Sequence, residues 1–266
     1  MNKDYIGIFD SGIGGLTVVK ELITLLEKEN IVYLGDTLNM PYGSKTVDQI
    51  NQFAKNNVTF LKQYNCKAYI VACGTMDSNA RNTIDNLTDK MVIGVIEPSC
   101  LKAVKTTKNK KIGIIATSAT IKTNAYTNKI KELDSTIEVY ANDCPNLARN
   151  IEDGKFNSED TKQLLQKYLR PLIDNDIDTL ILGCTHYPLA IELITDIAKN
   201  VNIISCSYEA SAAMKQYLIE NNLLSDELID RKYFVTGDSK EFKKTAKVFM
   251  NNIDEQIFKT SLWYFT

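Results

Sequence analysis

The chain has 266 residues, 44% hydrophobic and 24% charged. This composition excludes a predominantly disordered or fibrous protein and, at about 150 residues per domain, leaves room for two compact lobes. Lysine plus arginine total 31 against 33 acidic residues, a net charge of −2, without the basic excess expected of a nucleic-acid binder. No run approaches 18 apolar residues, and Met1-Asn2-Lys3-Asp4 leads directly into a strand-like segment instead of a signal-peptide core, so a cytoplasmic protein without membrane contact is expected.

Short apolar, β-branched runs recur along the chain, each ending in small or polar residues and followed by helix-period sequence, which is the pattern of βαβ units in a parallel sheet. The first run, Ile6 to Phe9, ends in Asp10-Ser11-Gly12-Ile13-Gly14-Gly15, and the second is Ile31 to Leu34. Val47, Ile50, Ala54, Val58 and Leu61 then fall at helical spacing behind Ser44 or Thr46 as a cap, predicting a helix. Ala68 to Ala72 ends in Cys73-Gly74-Thr75, and Val92 to Ile96 closes the series. Lys105, Lys108, Lys110 and Lys111 read as a solvated helix end before the next strand. A second series follows: Ile112 to Ala116, Ile137 to Tyr140, Thr179 to Leu182, which leads into Gly183-Cys184-Thr185-His186-Tyr187-Pro188, and Val201 to Ile204. Aligning Gly7 with Gly113, Tyr33 with Tyr140, Cys73 with Cys184 and Gly94 with Ile203 gives offsets of 106, 107, 111 and 109, which implies an internal duplication. After Ile204 the repeat stops, and helical patterns around Ala210 to Leu218 and at Phe242, Ala246 and Phe249 are expected to cover one of the lobes. The fold class is therefore α/β, with two similar lobes, each a parallel sheet flanked by helices, related by a pseudo-two-fold axis and sharing a cleft.

Parallel sheets bind ligands at the carboxyl ends of their strands, so the residues after each run carry the chemistry. A dinucleotide fingerprint would need glycine where Thr17 stands, and the Gly-Lys-Ser/Thr of a P-loop is absent. What remains at Asp10 to Gly15 is either a tight turn or a glycine loop whose helix N–H groups hold a carboxylate. Six cysteines without a C-x-x-C pair, together with a single histidine, His186, make a metal centre unexpected, and no cofactor is expected. The third run of each half ends in a cysteine followed by a threonine. If the lobes face each other, Cys73 and Cys184 stand on opposite sides of one cleft, placed to remove a proton from one face of a carbon and return one to the other. A thiol of pKa about 8.5 needs a cation, a helix N-terminus or a polar partner to ionise. Helix starts after both cysteines, the hydroxyls of Thr75 and Thr185, His186 beside Cys184 and Asp10 beside Cys73 are the candidates. A buried structural imidazole and a turn-stabilising Asp are the plainer alternatives for His186 and Asp10.

The segments Phe9 to Val18, Pro41-Tyr42-Gly43, Ala72-Cys73-x-Thr75, Ala116-Thr117-x-x-Thr120-Ile121 and Gly183 to Pro188, with Thr236-Gly237-Asp238 near the end, resemble in order the motifs of the glutamate racemase family across nearly the whole chain. The resemblance implies a cofactor-independent racemase interconverting L- and D-glutamate, with Cys73 and Cys184 as the acid/base pair. It implies that Asp10, Ser11, Pro41, Tyr42, Gly43, Gly74, Thr75, Thr117, Thr120, Thr185 and His186 surround the amino acid, and that Glu152 partners the histidine. It further implies a lobe at 98–207 inserted into one made of 1–97 and 208–266, a homodimer, and a supply of D-glutamate for peptidoglycan. Gly74 stands where the family usually has Asn, Met76 to Asn79 replace a run of small residues, and Ile204 to Ser207 lack an aspartate. With Ser78 or Asn79 available to restore the lost contact, Gly74→Asn is expected to keep activity and shift the Michaelis constant or the glutamate-to-aspartate preference. Racemisation of aspartate or another amino acid, and a catalytically silent binding protein, are the competing readings.

Overall fold

Strands and helices alternate along the chain to build two all-parallel sheets in a computed structural model that describes residues 4–226, 229–250 and 257–262. Met1 to Lys3, on which part of the N-terminal expectation rests, lie outside these residues. The strands are β1 (Tyr5–Asp10), β2 (Ile31–Gly35), β3 (Cys66–Val71), β4 (Met91–Gly94), β5 (Lys111–Ala116), β6 (Glu138–Asp143), β7 (Thr179–Leu182), β8 (Asn202–Ser205), β9 (Arg231–Val235) and β10 (Ile257–Lys259). One sheet has the order β10-β9-β2-β1-β3-β4 and the other β6-β5-β7-β8, so the order β2-β1-β3-β4 of the first half is repeated in the second. Register agrees: Gly7 lies opposite Tyr69 in one sheet, and Gly113 opposite Leu180 in the other. In both sheets the strand order reverses beside the first strand of the set, at β1/β3 and β5/β7, which is where an open parallel sheet leaves a crevice.

The strand period of two sorts the side chains of the larger sheet. Ile6, Ile8, Ile31, Tyr33, Ala68 and Ile70 face the helices Leu16–Leu25, Ile96–Thr106 and Cys206–Glu220, in a core that runs on into Ile112, Ile114, Leu180 and Leu182 of the second sheet. Tyr5, Phe9, Val32, Leu34, Tyr69 and Val71 face the other way, onto the helices Val47–Leu61 and Gly74–Asp85. Thr46 caps the helix Val47–Leu61 in a capping box with Gln49. A cap contributes about 1 kcal/mol, and each buried aliphatic side chain about 1.5–3 kcal/mol. The apolar stripe Ile50, Ala54, Val58 and Leu61, buried in this packing, therefore holds the helix far more than its end does.

Two expectations change here. Val95 and Ile96 leave the fourth strand and begin the helix Ile96–Thr106, whose N-terminal Ile96 amide donates to the buried Asp77 carboxylate at 2.9 Å. Asp77, within the unusual Met76 to Asn79 segment, thereby ties one helix to the start of the next. The tail does supply the helices Cys206–Glu220 and Ser239–Phe249, but it also adds β9 and β10 to the first sheet. Arg231 and Lys232 at the start of β9 hide it from a hydrophobic-run reading. Of the lysines near 105–111, Lys105 lies in the last turn of the helix, Lys108 and Lys110 in the following bend, where Lys110 pairs with Asp134 at 2.6 Å, and Lys111 begins β5. Among the described residues no helix is long and apolar enough to cross a membrane.

Candidate active site

β1 ends at Asp10, which is 1% exposed and accepts the Gly15 amide at 2.7 Å and the Gly12 amide at 3.3 Å. Two of the loop amides expected to hold a ligand carboxylate thus hold the chain's own, so the Asx-turn reading of Asp10 is part of its role. Burial raises the Asp10 pKa against the opposing pull of His186 and of the Gly15, Ser11 and Gly12 amides. A Cβ on Gly14 would lie 2.4 Å from His186 Cε1 and 2.7 Å from Thr185 Oγ1, so glycine is what lets this loop touch the end of β7. The Thr17 hydroxyl sits at the same junction, 2.8 Å from the Thr185 carbonyl and 2.7 Å from the Ser207 hydroxyl.

Cys73 follows β3 and occupies the N-cap position of the helix Gly74–Asp85. Its Sγ donates to Ser11 Oγ at 3.5 Å. Burial, then the charge of Asp10, push the thiol up to about 12, while the Ser11 hydroxyl and the Met76 and Ser11 amides oppose the rise. Ser11 is therefore the direct partner, and Asp10 keeps the proton on Cys73 instead of easing it off.

Cys184 follows β7, with its Sγ 3.5 Å from His186 Nδ1, and His186 Nε2 lies 2.7 Å from Glu152 Oε1. Burial opposes a charge on the imidazole, but Cys184 and Glu152 outweigh it and hold the His186 pKa well above its ordinary value. The expected helix start after Cys184 is absent. A 3-10 turn, Tyr187–Ala190, intervenes with Pro188 inside it, and the α-helix begins only at Ile191. A helix N-terminus supports one thiol and an imidazole the other.

Thr75 does not bond a thiol. Its Oγ1 lies 2.9 Å from Thr117 Oγ1 and 3.4 Å from Thr120 Oγ1, with Thr117 and Thr120 3.0 Å apart, a hydroxyl triangle joining the two strand-end regions. All the residues expected at the site except Thr120 line one cleft of about 290 Å³, and Thr120 stands behind Thr75 and Thr117. Ser78 and Asn79 bond the Thr75 carbonyl and are not on the cleft wall, so they do not replace the missing Asn side chain. A Cβ at Gly74 would lie 2.7 Å from the Gly183 carbonyl oxygen. The wall also holds Met40, Asn146, Ala148, Arg149 and Gly183, which the sequence reading missed. Three of these follow the carboxyl end of β6, a signal obscured because the apolar run stops at Tyr140 whereas the strand continues to Asp143.

Asp36 was likewise not visible in the sequence. Fully buried just beyond β2, it accepts from Tyr42 Oη at 2.6 Å, Thr236 Oγ1 at 2.8 Å and Asn39 Nδ2 at 2.9 Å, pinning the wall Pro41-Tyr42-Gly43 to the end of β9. Hydrogen bonds to a charged acceptor contribute about 1.5–3 kcal/mol each. Asp36→Asn is expected to cost about 2 kcal/mol and lower the melting temperature by about 4–8 °C. An unchanged thermal unfolding curve would show that the wall does not depend on this carboxylate. Among the described residues no group of three or more His, Cys, Asp and Glu side chains is arranged to hold a metal ion.

Residues 6–213 match the sequence pattern described as Asp/Glu/Hydantoin racemase. The chain is 40% identical over 257 residues to the glutamate racemase of Sulfurihydrogenibium sp. strain YO3AOP1, covering 96% of this chain and 97% of that one. The fold is similar to the crystal structure of a glutamate racemase isoform from Bacillus anthracis, with a TM-score of 0.95 at 36% identity over 98% of this chain and 99% of the other. It is similar also to that of the Francisella tularensis glutamate racemase in complex with D-glutamate, with a TM-score of 0.92 at 35% identity and the same coverage. Shared sequence pattern, near full-length identity and shared fold agree with the two strand-end thiols, and the chain belongs to the Asp/Glu/Hydantoin racemase family of isomerases.

Proposed function

We propose that the protein interconverts L- and D-glutamate by proton transfer at the α-carbon, with Cys73 and Cys184 acting from opposite sides of the bound amino acid. The observation that carries this reading is the pair of buried thiols, each two residues beyond the third strand of its half, on the wall of one cleft. The glutamate racemases among its relatives, one of them solved with D-glutamate, support the choice of substrate.

One thiolate takes the α-hydrogen as a proton, leaving the C–H electron pair on the α-carbon and its carboxylate, and the other thiol gives its proton to the opposite face. After one turnover the first sulfur is a thiol and the second a thiolate. The reverse reaction or exchange with water resets them. His186 holds negative charge on Cys184 or passes it a proton, and Glu152 keeps the imidazole charged. At Cys73 burial and then the charge of Asp10 hold the thiol up to about 12, so the thiolate is hard to form in the empty cleft. A substrate ammonium entering beside Asp10 offsets the smaller of these two causes, so Cys73 gives up its proton more readily when the cleft is occupied. Ser11, Thr75 and Thr117 offer hydroxyls to the substrate's polar groups, and Thr120 orients the latter two. No bound cofactor enters the route, because both proton carriers are side chains. The same proposal takes in a lobe at 98–207 inserted between 1–97 and 208–266, an arrangement supported by the joining of β9 and β10 to the first sheet, and a cytoplasmic homodimer supplying D-glutamate for peptidoglycan.

Incubation of either enantiomer in heavy water with a chelator, followed by chiral chromatography and mass spectrometry, is expected to give the opposite enantiomer carrying deuterium at the α-carbon. Loss of turnover on chelation with recovery on adding zinc, or a product that retains its original hydrogen, would overturn the route.

A further inference from the structure

We infer that Thr17 is a positioning residue for the Cys184 half of the site: its hydroxyl holds the Thr185–His186 peptide and so the imidazole beside Cys184, an assignment that rests on the racemase reading. Pro188 creates the need for it. After Cys184 the chain bonds in steps of three, the Tyr187 amide donating to the Cys184 carbonyl and the Leu189 amide to the His186 carbonyl, both at 3.1 Å. The step between them would need an N–H at position 188, which proline lacks. The Thr185 carbonyl, on a residue 2% exposed, is thereby left without its turn partner, and among the described residues no backbone amide donates to it. A buried acceptor left unpaired is costly.

Thr17 supplies the missing donor from the other half of the chain. It lies in the first turn of the helix Leu16–Leu25, is buried, and has its Oγ1 2.8 Å from the Thr185 carbonyl oxygen. The Gly14 carbonyl, also 2.8 Å away, already accepts the Thr17 amide at 3.0 Å, so the one hydroxyl proton goes to the acceptor that has no other donor. The buried Ser207 hydroxyl, 2.7 Å from Thr17 Oγ1, then donates to Thr17. His186, the next residue, is confined by the same loop: a Cβ at Gly14 would lie 2.4 Å from its Cε1 and 2.5 Å from its Nδ1. On another side the Phe249 ring meets the imidazole edge to face, with ring centroids 6.0 Å apart. Thr17 is not on the cleft wall, so it acts through the peptide and the imidazole instead of touching the substrate. Burial opposes a charge on that ring, and the titratable groups facing it, Cys184, Glu152 and Asp10, favour one. A ring that drifts from Cys184 and Glu152 leaves burial in control and gives up its proton more readily.

The test compares Thr17→Val, which keeps the shape and removes the hydroxyl, with Thr17→Ser, which keeps the hydroxyl, and with Thr24→Val, the same change at an exposed position of the same helix. Thr17→Ala is a second apolar variant with no branch to crowd its neighbours, and Thr17→Val combined with Pro188→Ala returns an N–H to position 188. Racemisation of both glutamate enantiomers is measured beside a ¹⁵N NMR titration of His186, whose signals are unambiguous because the chain has one histidine. Thr17→Val and Thr17→Ala are expected to lower kcat about tenfold, short of the roughly 10²-fold that a displacement of about 1 Å costs, with KM kept within about threefold. Both also lower the pH at which the imidazole loses its proton. Thr17→Ser recovers most of the kcat and of the titration, Thr24→Val matches the wild type, and adding Pro188→Ala to Thr17→Val recovers part of the lost kcat. An imidazole titration in the two apolar variants indistinguishable from that of the wild type overturns the assignment. An equal loss in Thr17→Ser, or a double variant no better than Thr17→Val, overturns it too. A wild type that does not racemise glutamate sinks the racemase reading alone, because the imidazole signal decides the role of Thr17 without turnover.

Discussion

Cys73→Ala and Cys184→Ala are each expected to lower racemisation by about 10³-fold or more, and the double variant by little beyond either single one. General acid–base groups contribute about 10²–10⁴-fold each, and residues that act as a pair are not additive when removed singly. Each single variant keeps one proton carrier. It should therefore retain slow α-hydrogen exchange with the one enantiomer whose hydrogen faces the remaining sulfur, without inversion, and proton NMR in heavy water separates exchange from racemisation. Wild-type turnover by either variant would remove that cysteine from the route. The two thiols should also differ in the empty enzyme. With Cys73 held up to about 12 by burial and Asp10, its labelling by iodoacetamide should rise about tenfold per pH unit with no plateau below about pH 10. A plateau near neutral pH would show that the thiolate forms without substrate.

Gly74→Asn is expected to lower kcat by about 10–100-fold, and Gly74→Ala to do nearly the same. This expectation differs from the one the sequence alone suggested, a retained activity with a shifted Michaelis constant. The first atom of any side chain at 74 would sit 2.7 Å from the carbonyl oxygen of Gly183, the residue before Cys184. Backbone oxygen has no rotamer by which to move aside, so the contact is relieved only by separating the two strand ends that carry the thiols. Displacements of about 1 Å at a reacting centre cost on the order of 10²-fold. The backbone angle at Gly74 is not left-handed, so the penalty is one of space and not of strain. Kinetics on glutamate and aspartate for both variants decide the matter. If Gly74→Ala is silent while Gly74→Asn changes only KM, position 74 contacts the ligand without setting the distance between the thiols.

Much of the fold was determined by the sequence itself. Eight strand runs, the spacing of the two halves, the helix Val47–Leu61 and both cysteines at equivalent strand ends could be read because each depends on local periodicity or on residues adjacent in the chain. What only the tertiary structure decided involves partners far apart in sequence. Asp36 meets Thr236 across 200 residues, Thr17 meets the Thr185 carbonyl across 168, and Gly74 meets Gly183. Arg149, 35 residues before Cys184 and in no periodic pattern, reaches the cleft only because β6 ends beside it. The proton preferences of the site were equally hidden. Asp10 disfavours the Cys73 thiolate, and Cys184 and Glu152 favour a charged His186, because burial removes water and leaves each group to the charge of whichever neighbour the fold has brought close. Sequence spacing carries the identity of those groups, but the distance and solvent exposure that set their energies exist only after the chain has packed.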